Sequence, residues 1–217
     1  MNRMVYPVIG CLLIWSFLTA GCVGAGHRNA PDTAYYTLEY ESPALPVQPL
    51  LDRILKIEAF QCAPEYDSTQ IIYREGRFQR SGYYYHRWRA RPGDLIPYFL
   101  ARDFTQAEAF RAVYAGTGNQ AATHRIEGRI EEFYEKDAPD GWSAVVSVAV
   151  ALLAEHEPDV SKRVLFQKIY RVSAPCAEKS PEAVVQAVSQ AVSGLSAAVF
   201  KDVYSALADS ADTGPGK

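Results

Sequence analysis

SPEAVVQAVSQAVSGLSAAVFKDVYSAL, residues 180–207, carries apolar residues at helical spacing over about eight turns. Ser180 suits the N-cap, Pro181 suits the first helical position, and Glu182 complements the positive end of the helix dipole. The apolar stripe consists of Val184, Val188, Ala191, Val192, Leu195, Val199, Val203 and Leu207. A stripe of this length predicts a helix that is buried against a sheet or a partner helix.

The segment before this helix, residues 142–153, is almost uncharged and could form a buried helix or a strand. Alternation favours a strand, with Val146, Val148 and Val150 on one side and Ser147 and Ala149 on the other. Residues 155–162 then form the connection of a long hairpin, and the second strand starts at about residue 164.

Aromatic and β-branched runs predict further strands upstream, at residues 35–40, 53–60, 70–74, 82–88, 110–114 and 124–135. Asp94 is the expected N-cap of a helix that continues to about Thr105, with Pro97 in its first turn. The sequence therefore predicts an α+β fold. It should be a single domain with a mixed, largely antiparallel sheet and two main helices packed on it.

The amino-terminal end has the pattern of a lipoprotein signal peptide. An apolar run over residues 4–18 is too short for a spanning helix and leads to Leu18-Thr19-Ala20-Gly21-Cys22. We expect cleavage before Cys22 and acylation of its thiol; the alternative is an ordinary secretory signal cut near Gly21. The predicted organisation is a signal peptide at 1–21, a tether at 22–34, a domain at 35–208 and a disordered tail at 209–217.

Charge and cysteine content are consistent with an envelope protein. The net charge is −3, and loss of Arg3 with the signal peptide makes it −4, which gives no support for nucleic-acid binding. Val23 stands where an inner-membrane lipoprotein often has aspartate, so we expect the periplasmic face of the outer membrane. Cys62 and Cys176 form an even pair in an oxidising compartment, either as a disulfide or as two free, half-buried thiols.

No set of residues in the sequence has the pattern of a catalytic or metal site, and we expect no enzyme activity, cofactor or metal. The four histidines are scattered, and Glu155-His156-Glu157 is better interpreted as a charged hairpin tip than as a metal site. The aromatic and basic segment around residue 85 is the candidate for a partner surface, although aromatic residues in strands also fill cores. The candidate surface residues are Tyr83, Tyr85, Arg87 and Trp88.

The order of several segments resembles the ABC-type transport auxiliary lipoprotein family, which includes the paraquat-inducible protein C-like lipoproteins. The matching segments are Tyr35-Tyr36-Thr37-Leu38, Arg53-Ile54-Leu55, Gln70-Ile71-Ile72-Tyr73-Arg74, Tyr85-x-x-Trp88-x-x-x-Pro92 and the helix from Asp94.

The resemblance implies a non-enzymatic role in intermembrane transport of lipid or another apolar solute. The implied partners are a mammalian-cell-entry (Mce) domain protein and an ABC permease and ATPase. The membrane that holds the anchor is a further partner, and association with further copies of the chain is left open. The alternatives are a structural or pilot lipoprotein of an envelope assembly and, less favoured, an envelope hydrolase.

Overall fold

The structure is a computed structural model that describes residues 32–46 and 48–212, with side chains through residue 209. The predicted signal peptide, Cys22 and all but the end of the tether therefore lie outside the described residues. From Thr33 onward, the described residues form one compact unit.

The described part of the chain builds a nine-stranded mixed sheet with three helices. The strands are β1 (Ala34–Tyr36), β2 (Leu51–Ile57), β3 (Gln61–Cys62), β4 (Gln70–Arg74), β5 (Ser81–Trp88), β6 (Phe110–Ala115), β7 (His124–Ala138), β8 (Gly141–Ala154) and β9 (Val164–Pro175). The helices are α1 (Pro92–Gln106), α2 (Val160–Arg163) and α3 (Pro181–Asp212). The predicted α+β class is confirmed.

Strand β7 organises the sheet because its two edges are used differently. One edge pairs along nearly its whole length with β8, which in turn pairs with β9, and both ladders are antiparallel. The other edge receives β2, β3 and β4 one after another, each in parallel. Strand β6 extends the sheet beyond β2, and β5 and then β1 extend it beyond β4.

The β8–β9 hairpin confirms the strand interpretation of residues 142–153. Residues 155–163 connect the two strands, and within them α2 is a single turn capped by the Asp159 carboxylate, which accepts from the Ser161 N–H at 3.0 Å. Val146, Val148 and Val150 are fully buried, as the alternation predicted.

Helix α3 packs across β8 and β9 and forms the centre of the core. All eight residues of the predicted stripe are buried, and Ser180 Oγ accepts from the Ala183 N–H at 3.2 Å, which confirms the predicted cap. The helix is long and apolar enough to cross a membrane by composition, but its apolar side is used in this core. It continues to Asp212, so the tail predicted to be disordered from 209 begins as helix.

Helix α1 begins two residues earlier than Asp94. Arg91 is the N-cap, Pro92 occupies the first helical position, and Asp94 lies in the first turn, so its predicted role as N-cap is wrong. Asp94 still places negative charge at the positive end of the helix dipole. Pro97 consequently lies inside the helix rather than in its first turn.

Strand β5 contains a large bulge with three extra residues. Gln70 pairs with Arg87 and Ile72 pairs with Gly82, so two steps along β4 correspond to five along β5. The three extra residues fall between Gly82 and Arg87 and break the alternation of inward and outward side chains.

Candidate interaction surface

Trp88 belongs to the core and not to a partner surface. Its side chain is 1% exposed, and its ring lies 5.3 Å from that of Phe133 on β7. The prediction that Trp88 contacts a partner is wrong because the β5 bulge turns this side chain toward the helices.

Tyr83 also points inward, where its hydroxyl donates to the Glu135 carboxyl at 3.0 Å. Glu135 is only 1% exposed, and burial, together with the neighbouring Asp137, raises its pKa to about 8. Asp137 Oδ1 is buried, and no hydrogen-bond donor is assigned to it among the described residues. A protonated Glu135 can donate to Asp137, so this carboxyl pair has a structural use for the extra proton.

The exposed aromatic residues of this region are different ones from those predicted. Tyr84 leaves the β5 bulge with its side chain 73% exposed, and Tyr85 packs edge-on against it at 4.7 Å. On β1, the Tyr35 side chain is 57% exposed, and the Arg89 guanidinium lies over its ring at 5.8 Å. We call Tyr35, Tyr84, Arg87 and Arg89 the edge surface.

The turn between β4 and β5 presents another exposed aromatic residue. Phe78 is 90% exposed, and the neighbouring Arg77 guanidinium lies 5.4 Å from its ring. At this exposure the ring takes almost no part in the packing of the described chain and is available for an external contact. Sequence inspection missed Phe78, although its setting among Glu75, Gly76 and Arg77 indicates a turn rather than a core position.

The cysteines are two free thiols, both partly buried. Cys62 pairs with Ile130 on β7, whereas the Cys176 N–H donates to the carbonyl of Trp142, which pairs with Asp137. These positions are about 20 Å apart along β7, compared with about 5.5 Å between the Cα atoms of a disulfide. Burial raises the pKa of both thiols to about 11. The alternative with two free thiols is therefore the arrangement observed.

The described residues contain no group of three or more ligands that could hold a metal ion. Glu155 forms an ion pair with Arg125, whose guanidinium donates to the carboxylate at 2.9 Å, which agrees with a charged hairpin tip. Burial lowers the pKa of His124 to about 4, so this imidazole stays neutral near pH 7. His86 shares a 2.8 Å hydrogen bond with the Tyr36 hydroxyl. These groups have structural partners and do not converge on one cleft.

Several grooves cross the surface of the described residues, and two of them differ in the polarity of their lining. One, of about 490 Å³, lies on β7, β8 and the β2–β3 connection and is lined mainly by polar atoms, with Glu58, Glu127 and Arg129 among its residues. The other, of about 520 Å³, lies between α1 and the chain after β1 and is mostly apolar, with Leu95 and Tyr98 in its wall. Neither contains a nucleophile paired with a base.

Several solved structures have a similar fold. A Xanthomonas campestris protein of the family model DUF330 superposes with a TM-score of 0.73 at 17% identity, covering 83% of this chain and 100% of that chain. An uncharacterised protein gives 0.62 at 14% identity, covering 80% and 99%. A hypothetical protein from Chlamydia trachomatis gives 0.50 at 8% identity, covering 72% and 98%. At these identities the likeness concerns the fold alone.

No curated protein sequence matches the chain. The family model for the ABC-type transport auxiliary lipoprotein component matches residues 36–199, which is about three quarters of the sequence and extends from β1 into α3.

Proposed function

The chain belongs to the family of ABC-type transport auxiliary lipoproteins, and we propose that it is a non-enzymatic, outer-membrane-anchored component of an Mce-type intermembrane transport system. The cargo would be phospholipid or another apolar solute. The observation that carries the proposal is the family match over residues 36–199, because it spans strands β2 to β9 and most of α3.

The proposed anchor is an acyl group on Cys22, attached after cleavage of residues 1–21. Two or more acyl chains hold a protein on a bilayer because each buried methylene contributes about 0.8 kcal/mol. Tethering also raises the effective concentration of the domain near any partner that approaches the same membrane. These two effects explain why an auxiliary subunit can act without chemistry of its own.

The proposed partner is an Mce-domain protein that carries the cargo between the membrane of an ABC permease and ATPase and the membrane that holds the anchor. Apolar cargo must be shielded from water across the periplasm. The end of the carrier must therefore lie close to the receiving leaflet. The edge surface supports docking because exposed tyrosine and arginine are typical interface anchors. Tyr84 and Arg89 present such groups on strand β5 and just after it.

The anchor is tested by comparing Cys22→Ser with Cys62→Ser. The first should lose the acyl mass at the mature amino terminus and move from the membrane fraction to the soluble periplasm. The second removes a cysteine within the folded domain and should leave attachment unchanged. An unmodified residue 22 in the parent chain would contradict the proposal.

The partner is tested by affinity purification of the tagged, full-length chain from membranes, followed by mass spectrometry. Mce and ABC components should be enriched with the parent chain and reduced with Arg89→Glu. Arg111→Glu, the same charge reversal at an exposed arginine on β6 at the opposite edge of the sheet, is the matched control. Equal enrichment in an untagged strain would refute the partnership.

A further inference from the structure

We propose that the turn between β4 and β5, residues 75–80, contacts the phospholipid surface of the membrane that holds the anchor. In this arrangement the Phe78 ring enters the interfacial layer and the Arg77 guanidinium binds lipid phosphate. The inference rests on the proposed anchoring at residue 22, and it adds a second, non-covalent contact between the domain and the bilayer.

The chemistry of the turn fits a lipid interface. Phe78 has the greatest exposure of the large apolar side chains in the described residues, at 90%. Aromatic side chains are favoured in the interfacial layer, and guanidinium forms strong hydrogen bonds with phosphate oxygens. Arg77, beside the Phe78 ring, can therefore meet a headgroup while the ring lies deeper.

The turn is braced from within, so Phe78 is held outward. The Arg80 guanidinium donates to the carbonyl oxygens of Arg77 at 3.4 Å and Gln79 at 3.2 Å, one on each side of Phe78. The same guanidinium lies 5.6 Å from the Tyr134 ring and pairs with Glu65 at 3.6 Å. Arg80 thus fastens the turn to the body of the domain.

The sheet topology places this turn on the side from which the chain enters the domain. Strand β1 runs parallel to β5, and Tyr35 is level with Arg87, which is level with Gln70 on β4. Asp32 and Thr33 therefore approach Ala34 from the side where β5 begins, and that is the side of the turn. Strand β4 continues to Arg74, about 13 Å beyond the level of Tyr35, before the turn starts.

The length of chain before the domain is suited to this contact. Eleven residues separate the domain from the membrane if the anchor is at residue 22, counting residues 22–32. Their greatest possible span is about 38 Å, so the turn can meet the bilayer without the tether being fully extended.

The opposite end of the sheet supplies a control position. Val160, in the β8–β9 connection, is 71% exposed and is therefore a comparable apolar side chain. Arg74 is level with Lys136 on β7, and the β8–β9 connection is level with His124 at the other end of this strand. The two ends are about 40 Å apart along β7.

The experiment uses the mature chain from residue 22 with Cys22→Ser and six histidines at its amino terminus, attached to vesicles through a nickel-chelating lipid. The vesicles contain phosphatidylethanolamine, phosphatidylglycerol and brominated phosphatidylcholine, and the bromine quenches tryptophan that enters the bilayer. Phe78→Trp and Val160→Trp are compared, and the signal of the parent chain, from Trp88 and Trp142, is subtracted.

The added fluorescence of the Phe78→Trp variant should be quenched and shifted to shorter wavelength on vesicles, and the additional change Arg77→Glu should reduce the quenching. The added fluorescence of the Val160→Trp variant should be unaffected. Equal quenching at the two positions, or none at position 78, would overturn the proposal. Because the histidine anchor replaces the acyl group, this result is independent of whether Cys22 is acylated in cells.

Discussion

The Phe60 N–H donates to the Gly93 carbonyl at 2.9 Å, and this carbonyl is the one that Pro97 leaves without its helical partner. In an α-helix the N–H of residue 97 would bond to the carbonyl of residue 93, but proline has no N–H. The chain between β2 and β3 supplies the donor instead. This long-range bond explains how α1 contains Pro97.

Gly93→Ala should destabilise the domain. A Cβ at this position would lie 2.4 Å from the Phe60 carbonyl oxygen, a backbone atom that cannot move without disturbing the bond to Gly93. We expect a loss of about 1–3 kcal/mol in the free energy of unfolding, measured by urea titration. Gly76→Ala, where nothing lies within 4 Å, is the control and should stay within about 0.5 kcal/mol of the parent.

Gly128→Ala should also be destabilising, but for a reason that a second change can remove. A Cβ there would lie 2.6 Å from the Phe60 ring. Phe60→Leu removes ring atoms, so the double variant should lose less stability than the sum of the single changes, as measured in a double-mutant cycle. Phe60→Leu should give no such relief with Gly93→Ala, because that clash involves backbone. Strict additivity at Gly128 would contradict the packing described here.

Glu135→Gln should make the domain less sensitive to alkaline pH. Burial raises the pKa of Glu135 from 4.5 to about 8, so the folded state retains a proton that the unfolded state releases in this window. The contribution of this group to the stability of the parent should therefore be greatest below about pH 4.5. It should decrease as the pH rises toward 8, by at most about 1.4 kcal/mol per pH unit.

Glutamine can accept from Tyr83 and donate to Asp137 as the protonated acid does, without titrating. Urea titrations between pH 5 and 8 should show a flatter profile for Glu135→Gln, with its advantage over the parent growing as pH rises. Glu127→Gln on the same strand is the control and should follow the parent. A variant that tracks the parent slope would refute the buried proton.

Both cysteines of the domain should be alkylated by iodoacetamide in urea without a reducing agent, because Cys62 and Cys176 are free thiols. In the folded protein at pH 8 the reaction should be slow, since burial raises both pKa values to about 11 and little thiolate forms. Intact mass spectrometry distinguishes the two states. A mass lower by two hydrogens, with no alkylation in urea, would show a disulfide and contradict the sheet register.

The local sequence pattern was sufficient to predict the elements whose backbone hydrogen bonds are made within the element or with a strand close by in sequence. Helix α3 combines a cap, a proline at the first position and an uninterrupted stripe, and β8 and β9 alternate regularly across a short connection. The start of α1 could not be predicted in the same way. Asp94 is a good N-cap residue by its type alone. The helix can contain Pro97 because the Phe60 N–H bonds to the Gly93 carbonyl, and Phe60 is distant in sequence.

The candidate surface was only partly predictable for a related reason. Alternation placed Tyr83 and Trp88 on opposite faces of β5, whereas the bulge brings both inward and leaves Tyr84 exposed. A bulge is defined by register with a neighbouring strand and has no sequence period of its own. Glu135, the acceptor for Tyr83, likewise becomes visible only when β5 and β7 are placed in one sheet.

The way β7 receives its partners also leads us to expect a particular order of folding. Before residues 124–136 are available, the chain offers three separate pieces, β2 with β6, β3, and β4 with β5 and β1, which pair with one another only through β7. If the chain is synthesised or exported from its amino terminus, more than half of its length is therefore exposed before β7 is available to join these pieces into one sheet. The domain should complete its folding late, after the β7–β8–β9 meander has formed, and it should stay unfolded long enough to be threaded through a narrow channel.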